Sequence, residues 1–330
     1  MGYQLAKDKM ESIFKKLQET HDIYAPVVKK GDGTFSEVDV VRYDKVTSLD
    51  EIEWNKKSDY SFKEALLSIN ETLFYFTEDE TTVPKGPTKD LLIFLRACDM
   101  HALKRLDQIY LDNKFGDFYY QRVRARAKFC LMGCSKSCES GYCVSMGTNK
   151  ADNYDLYLKL DGDKAFVDAK NEDFVTVFEG ETKQDVTPDY VTENKEKVTI
   201  PKNLSKATKD NPIWEEYGSR CIGCGRCNFV CPTCTCFTMQ DIFYKDNPKV
   251  GERRRVWASC QIDGYSEIAG GFEFRKKQAD RMRFKVMHKH YDFEKRFGYS
   301  MCVGCGRCDD VCPEYISHAA ILNRLAKEEG

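Results

Sequence analysis

The chain contains one twelve-residue phrase twice. The copies read Cys-Ile-Gly-Cys-Gly-Arg-Cys-Asn-Phe-Val-Cys-Pro at 221–232 and Cys-Val-Gly-Cys-Gly-Arg-Cys-Asp-Asp-Val-Cys-Pro at 302–313. Three cysteines spaced three positions apart, followed by a fourth cysteine and a proline, form the pattern that binds [4Fe–4S] clusters in bacterial ferredoxins. The repeat therefore predicts a protein that transfers electrons one at a time.

The fourth cysteine of each phrase is expected to bind the cluster of the other phrase, as it does in two-cluster ferredoxins. The two predicted ligand sets are Cys221, Cys224, Cys227 and Cys312 for cluster 1, and Cys302, Cys305, Cys308 and Cys231 for cluster 2. Glycines at 223, 225, 304 and 306 allow tight turns that point backbone N–H groups at sulfur. Two structural zinc sites fit less well, because zinc usually takes its four ligands as two separated pairs.

More cysteines crowd into the first half of the chain. Cys130, Cys134, Cys138 and Cys143 lie within fourteen residues, and Cys98 follows an apolar run at 91–95. A strand end is a rigid mount for a ligand. We predict a third [4Fe–4S] cluster bound by Cys98, Cys134, Cys138 and Cys143, with Cys130 or Asp99 as alternates for one ligand. The alternative is that one or two of these cysteines are buried and inert.

Three cysteines remain after these assignments. Cys234 competes with Cys231 for a cluster, and the Cys-Pro pattern favours Cys231. Cys236 and Cys260 have no ligand pattern. Cys236 and Cys260 could pack beside a cluster or bind another group, but we interpret them as buried side chains that behave as small apolar residues.

Composition limits the class of protein. The 330 residues suffice for two domains, and the net charge of −2 gives no general attraction to nucleic acid. The longest apolar runs are too short to span a membrane, and residues 1–18 lack the apolar core of an export signal. Sixteen cysteines without an export signal favour metal ligands over disulfides, and hence the cytoplasm.

The predicted fold is α+β with two domains. Residues 1–210 are expected to form an α/β domain that carries the third cluster. Residues 211–330 are expected to form a mainly α-helical, ferredoxin-like domain that carries the other two. The polar stretch 181–212 reads as the linker between them.

Local patterns support particular elements. Residues 91–95 predict a buried strand, and Asp161-Gly162 predicts a hairpin. Helical spacing occurs in three places, namely at Met10, Ile13, Phe14 and Leu17, at Leu103, Leu106 and Tyr110, and at Met282, Val286 and Met287. Gly270-Gly271 is expected to break or cap a helix.

Basic residues are concentrated at 253–255 and along 275–289. Most such runs are solvated helix faces. Near thiolate-bound clusters, however, cations would raise the reduction potential, and at the surface they could dock an acidic partner. His101, His288 and His290 remain unassigned.

Several segments in both halves of the chain resemble one family. They are Arg-Ala-Cys-Asp-Met-His-Ala-Leu at 96–103, Tyr-Cys-Val-Ser-Met-Gly-Thr at 142–148, Cys-Pro-Thr-Cys-Thr-Cys at 231–236, Trp-Ala-Ser-Cys-Gln at 257–261, Ala-Gly-Gly at 269–271 and Met-His-Lys-His-Tyr at 287–291. The whole chain resembles the A subunit of anaerobic sulfite reductase. More broadly, it is similar to the beta subunits of soluble sulfhydrogenases.

The resemblance implies an electron-relay subunit with no bond-making residues of its own. An NADH-oxidising flavoprotein subunit would supply electrons, and a sirohaem subunit would use them to reduce sulfite to sulfide. The absence of a Gly-x-Gly-x-x-Gly fingerprint after a strand agrees with nucleotide binding on a partner.

Two alternatives remain. One is the same relay in a sulfhydrogenase or another flavin-dependent oxidoreductase. The other is a structural zinc protein or nucleic-acid binder, which predicts a colourless protein or salt-dependent DNA binding.

Overall fold

The computed structural model describes residues 1–33, 37–244 and 247–329. Its strands are β1 (Gly2–Ala6), β2 (His21–Lys29), β3 (Val40–Lys45), β4 (Asn70–Phe76), β5 (Thr81–Thr82), β6 (Asp90–Leu95), β7 (Ala127–Met132), β8 (Leu156–Asp161), β9 (Lys164–Ala169), β10 (Thr182–Lys183), β11 (Phe237–Tyr244), β12 (Asn247–Trp257), β13 (Glu267–Ile268) and β14 (Phe272–Glu273).

The α-helices are α1 (Lys7–Thr20), α2 (Lys63–Leu66), α3 (Ala97–Tyr110), α4 (Phe118–Arg124), α5 (Glu172–Val177), α6 (Ile213–Arg220), α7 (Arg226–Phe229), α8 (Gln278–Met287), α9 (Phe293–Phe297), α10 (Arg307–Asp310) and α11 (His318–Glu329). Short 3₁₀ segments occupy Leu49–Glu51 and Lys206–Asp210, and a π-helical turn occupies His288–Asp292.

The chain divides into two compact units. The first comprises Met1–Leu66, Pro87–Lys195 and Val303–Cys305, and the second comprises Leu67–Gly86, Glu196–Cys302 and Gly306–Gly330. This division differs from the predicted boundary at 210/211 in two ways. The main crossover lies inside the predicted linker, and each unit includes a short segment from a distant part of the sequence.

The first unit is built on an eight-stranded sheet with the order β10-β1-β9-β8-β7-β6-β2-β3. Strands β8, β7, β6 and β2 are mutually parallel, and the outer strands pair antiparallel. The predicted strand at 91–95 is confirmed as β6, whose residues from Leu91 onward are buried. An unbroken apolar run suits this place, because central parallel strands are covered on both faces.

Helix α1 covers one face of this sheet. Its buried side chains are those predicted from the helical spacing, namely Met10, Ile13, Phe14 and Leu17. They join a core that contains Leu92 and Phe94 of β6. The predicted hairpin is also confirmed, because β8 and β9 pair antiparallel across a turn in which Gly162 has φ +57°.

The carboxyl ends of β6 and β7 position two cysteine-bearing segments. These strands run parallel, with Leu95 opposite Leu131. The chain therefore leaves both strands at the same sheet edge, where it enters α3 and the cysteine-rich loop 133–148.

The second unit contains more sheet than expected. A four-stranded antiparallel sheet has the order β11-β12-β4-β5, and β12 extends over 11 residues. A mainly helical C-terminal region is therefore not confirmed. Gly270-Gly271 does not cap a helix but forms the turn between β13 and β14, with φ of +91° and +78°.

Helices α6 and α8 pack closely in the second unit. A Cβ on Gly218 of α6 would lie 2.6 Å from Ala279 of α8, so only glycine permits this approach. The predicted helical residues Met282, Val286 and Met287 are buried on α8. Within the described parts of the chain, every helix is too short or too polar to cross a membrane.

Candidate metal centres

The two cysteine phrases fold into the same local structure. Each begins with an extended loop and ends in a short helix, α7 in the first phrase and α10 in the second. The helices start after Gly225 and Gly306, both with φ +74°, a conformation that favours glycine. The backbone N–H groups of Asn228 and Asp309 donate to the carbonyls of these glycines, both at 3.0 Å.

The cysteines predicted to bind cluster 1 surround one cavity in the second unit. Cys221, Cys224, Cys227 and Cys312 all line this space. Apolar side chains complete much of its wall, including Met282, Ile316 and Ile321. Four thiols converging on a mostly apolar cavity fit a [4Fe–4S] cluster, which takes four cysteine ligands.

The cysteines predicted for cluster 2 are divided between the two units. Cys231, Cys302 and Cys308 belong to the second unit, and Cys305 belongs to the first with Val303 and Gly304. Polar groups of the first unit hold this tripeptide. Tyr142 N–H donates to the Gly304 carbonyl, the Thr148 hydroxyl to that of Val303 and the Lys57 ammonium to that of Cys305, each at 2.7 Å.

Two buried lysines of the second unit face cysteines that are predicted to bind the clusters. The Lys289 ammonium lies 3.4 Å from the Cys231 sulfur and 2.9 Å from the Thr233 hydroxyl. Burial alone lowers the pKa of Lys289, but Cys231, Cys234 and Cys302 outweigh it and raise that pKa.

Lys285 behaves in the same way beside other cysteines. Burial opposes its charge, but Cys227, Cys308 and Cys234 raise its pKa well above the ordinary value. A buried ammonium needs a compensating negative charge. Thiolate ligands of an iron–sulfur cluster supply such charge, so the two lysines agree with the predicted metal sites.

The third set of cysteines lies at the carboxyl edge of the first unit's sheet. The buried Arg96 guanidinium, between β6 and α3, donates to the Cys134 sulfur at 3.4 Å. The Asn194 amide donates to the Cys143 sulfur at 3.6 Å, and its oxygen accepts from the Val144 N–H at 2.7 Å. Sulfur atoms that receive such donors resemble cluster ligands more than packed apolar side chains.

Cys138 interacts electrostatically with both Cys134 and Cys143. Burial raises the pKa of Cys134, Arg96 opposes this, and Cys138 raises it further. Burial also raises the pKa of Cys143, and Cys134 and Cys138 add to the effect. The structure thus brings these three thiols together. Cys98 occupies the second position of α3 and starts from the same sheet edge.

The two alternate ligands differ in their surroundings. Cys130 lies on β7 inside the hydrophobic core, fully buried with Leu92, Phe94 and Leu156. Burial raises the pKa of its thiol well above the ordinary value. This is the environment of an apolar side chain. Asp99 is fully buried on the first turn of α3.

The basic residues have more specific roles than the sequence indicated. Residues 253–255 lie on strand β12, not on a helix, and they form ion pairs. Arg253 pairs with Asp241 at 2.6 Å, Arg254 with Glu252, and Arg255 with Glu71 at 2.7 Å. Of the later run, Lys285 and Lys289 are the residues that face cysteines.

Sequence reasoning missed a pair of buried histidines. The Nε2 atoms of His290 and His318 lie 2.9 Å apart, and Ser300 Oγ lies 3.0 Å from His290 Nδ1. Burial lowers the pKa of His290 to about 3 and that of His318 well below its ordinary value. With Cys302, they bring three potential metal-ligand atoms within 4.8 Å of one another. Their separation of 28 residues left no local pattern to detect.

Comparisons with known proteins agree with these centres. A family model described as a 4Fe-4S dicluster domain matches residues 220–316, which include both cysteine phrases. The "Sulfhydrogenase 2 subunit beta" of Pyrococcus furiosus is 30% identical over 339 residues, and the match covers 98% of this chain and 97% of the relative. No solved structure matches the chain. These findings establish an iron–sulfur protein with [4Fe–4S] clusters.

Proposed function

Because the chain belongs to the family of sulfhydrogenase beta subunits, we propose that it is the electron-relay subunit of an NAD(P)-linked sulfhydrogenase or of a related flavin-dependent oxidoreductase. One observation carries the proposal. Two cysteine phrases have the same local fold, and two lysines, Lys285 and Lys289, are buried against thiols of these phrases.

The proposed ligands are those predicted from the sequence. They are Cys221, Cys224, Cys227 and Cys312 for cluster 1, Cys302, Cys305, Cys308 and Cys231 for cluster 2, and Cys98, Cys134, Cys138 and Cys143 for cluster 3. Cys130 is the weakest candidate because it lies in the core. Arg96 and Asn194 support cluster 3, since they donate to two of its sulfurs.

The protein's own residues govern charge and position in this function. The bound clusters supply one-electron chemistry. Lys285 and Lys289 favour the reduced state, since a nearby cation stabilises an added electron. Apolar residues such as Met282 and Ile321 limit water around the cluster 1 ligands. The chain itself performs no bond-making step in this relay.

The comparisons favour the sulfhydrogenase branch over sulfite reduction. The matched relative is a sulfhydrogenase subunit, and no finding supports a sirohaem partner. We therefore propose a flavoprotein subunit and a hydrogenase subunit as partners. The test is electron donation in the assembled complex. We expect hydrogen-dependent reduction of NAD(P)⁺, whereas sulfite-dependent oxidation of NADH would favour the other branch.

The ligand sets can be tested with Cys305→Ser in that complex. We expect electron transfer through this chain to stop while the flavoprotein partner still oxidises NAD(P)H. Cys130→Ala is the matched control, and we expect it to retain electron transfer and all clusters. Three clusters correspond to about twelve irons per chain, and two clusters to about eight. Normal electron transfer in Cys305→Ser would exclude cluster 2 from the path.

A further inference from the structure

Two cysteines outside the predicted ligand sets lie close together in the second unit. Cys236 and Cys260 line the same cavity, and each thiol shifts the pKa of the other. Cys236 directly precedes β11, and Cys260 follows β12, the antiparallel partner of that strand. The Ala258 N–H donates to the Cys236 carbonyl at 2.9 Å, which fixes the two segments side by side.

Polar groups surround the Cys260 sulfur. The side-chain amide of Asn228 donates to it at 3.0 Å, and that of Gln261 lies 3.5 Å away. These donors stabilise a thiolate more than a thiol. Consistent with this, the Cys236 thiol, followed by Gln261 and Asn228, lowers the pKa of Cys260 to about 6, although burial opposes the shift. A thiolate beside a thiol is the arrangement of a reactive dithiol.

The pair borders a cavity that is large enough for a small molecule. Cys236 and Cys260 line a space of about 320 Å³ together with Lys285 and Lys289. A second, more open cavity of about 720 Å³ shares three wall residues with the first, namely Phe237, Tyr265 and Arg275. The two cavities therefore adjoin at these residues.

The side chain of Arg275 lies where the two cavities adjoin. Arg275 lines both, and its guanidinium stacks on the Phe284 ring at 3.9 Å. Its buried Nε–H has no hydrogen-bond partner among the described residues. A buried donor without a partner is unfavourable. A ligand with an anionic group would satisfy this donor while its sulfur faced the dithiol.

We propose that Cys236 and Cys260 form a redox-active dithiol that reduces a small disulfide compound with an anionic group. The Cys260 thiolate attacks one sulfur of the substrate, the substrate S–S bond breaks, and one thiolate leaves. Cys236 then gives up its proton and attacks the Cys260 sulfur. The second half of the substrate leaves, and the net products are the Cys236–Cys260 disulfide, one thiolate and one thiol.

The dithiol is regenerated by two electrons and one proton, and reduced [4Fe–4S] clusters of this chain are the reductant. This last step rests on the proposed relay function. The position of the pair agrees with it, because Asn228, which donates to Cys260, follows directly after the cluster 1 ligand Cys227. Lys285, a wall residue of the dithiol cavity, also interacts with Cys227.

The disulfide itself is tested in the full-length, cluster-loaded protein. The protein is equilibrated anaerobically in dithiothreitol redox buffers, alkylated, digested and examined by mass spectrometry. We expect a linkage between Cys236 and Cys260 that forms and disappears reversibly. Iron and acid-labile sulfide are counted in Cys236→Ser and Cys260→Ser, and we expect the wild-type content. Loss of iron in either variant would identify a cluster ligand and overturn the proposal.

Substrate recognition is tested with two disulfide probes of opposite charge, dithiodipropionate and cystamine. We expect Cys236→Ser to accumulate a mixed disulfide on Cys260 with the anionic probe, and Cys260→Ser to accumulate none. Arg275→Gln should slow the reaction with dithiodipropionate about tenfold and leave that with cystamine unchanged. Equal rates for both probes in the wild type would contradict an anionic substrate.

The two proposals fail in different ways. If the clusters are present and reducible but no disulfide forms, the dithiol inference is wrong and the relay function stands. If the disulfide forms but dithionite-reduced clusters never reduce it, the dithiol exists without the proposed supply of electrons, and the inference is overturned in that part.

Discussion

The loops of the two cysteine phrases have the same backbone conformation but different surroundings. Ile222 in the first phrase is 60% exposed, whereas the matching Val303 in the second is 2% exposed. Cys224 is exposed, and the matching Cys305 is partly buried. The repeated sequence therefore determines the local fold and the ligand spacing. The surrounding structure determines which of the two loops is exposed to solvent. The first loop is the exposed one, so it is the better candidate for contact with a partner protein.

A second difference lies at the position after the third cysteine. In the first phrase Asn228 donates to the Cys260 sulfur at 3.0 Å. In the second phrase Asp309 accepts from the Ser317 hydroxyl at 2.8 Å and from the His318 N–H at 2.9 Å, at the start of α11. Asn228 of the first phrase thus donates to a sulfur outside the predicted ligand sets, whereas Asp309 of the second phrase caps the start of α11.

Substitutions at the third position of each phrase should show the largest difference in the free energy of unfolding. Gly304 and Gly223 have φ of +64° and +67°, so alanine is strained at both by about 1 kcal/mol. At 304, however, the new Cβ would lie 2.7 Å from the Tyr142 backbone, whereas at 223 the nearest atom is 3.5 Å away. We expect Gly304→Ala to lower the free energy of unfolding by at least about 3 kcal/mol.

Anaerobic urea denaturation measures this effect, and Gly223→Ala is the matched control. Equal destabilisation by the two variants would show that the loops have equivalent surroundings in solution.

Replacing the two buried lysines should have different effects on the reduction potentials of the two proposed clusters. Lys289 interacts with Cys231 and Cys302, both proposed ligands of cluster 2, whereas Lys285 interacts with Cys227 of cluster 1 and Cys308 of cluster 2. Since removal of a cation disfavours the added electron, Lys289→Met should lower one potential by about 100 mV. Lys285→Met should lower the reduction potentials of both clusters. Redox titration followed by electron paramagnetic resonance measures these shifts.

Two shifted potentials in Lys289→Met would contradict the exchange of fourth cysteines between the phrases, because Cys231 and Cys302 would then bind different clusters. Lys276→Met is a suitable control because that side chain is exposed.

The second position should give a smaller contrast in stability. Val303→Ala removes two methyl groups from a buried site, and we expect a loss of about 2 kcal/mol in the free energy of unfolding. Ile222→Ala should change it by less than about 0.5 kcal/mol because the side chain is exposed. Denaturation curves for the pair measure this, and a large loss in Ile222→Ala would mean that its loop is covered in the free protein.

The smallest effect is expected at Asp309. Asp309→Asn keeps the shape but removes a charge that favours the start of α11, at a cost of about 1 kcal/mol. Asp310→Asn, at the exposed neighbouring position, should have little effect. Thermal unfolding under anaerobic conditions compares the two, and identical melting temperatures would argue against capping by Asp309.

Features encoded by neighbouring residues could be predicted from the sequence. The spacing of the cysteines predicted both phrases, and the apolar run at 91–95 predicted a strand that the structure confirms as β6. Gly270-Gly271 was interpreted wrongly because a glycine pair suits a hairpin turn as well as a helix end. Local patterns cannot decide between these two uses.

Features that join distant residues could not be predicted. Strand β4 pairs with β12 across some 180 residues, and this pairing brings Glu71 to Arg255. It accounts for the unexpected sheet in the second unit. The proximity of Cys236 and Cys260 likewise depends on the pairing of β11 with β12. Neither strand was expected in a region interpreted as helical.

The tripeptide Val303–Cys305 has a consequence for biosynthesis. It completes the first unit, although most of that unit is encoded before residue 196. Domains generally fold as they emerge from the ribosome, from the N-terminus onward. Here the unit that is translated first lacks one of its segments until residue 305 has been synthesised. Most of the second unit is therefore translated before the first unit is complete, and a cluster that uses Cys305 as a ligand would form only after that point.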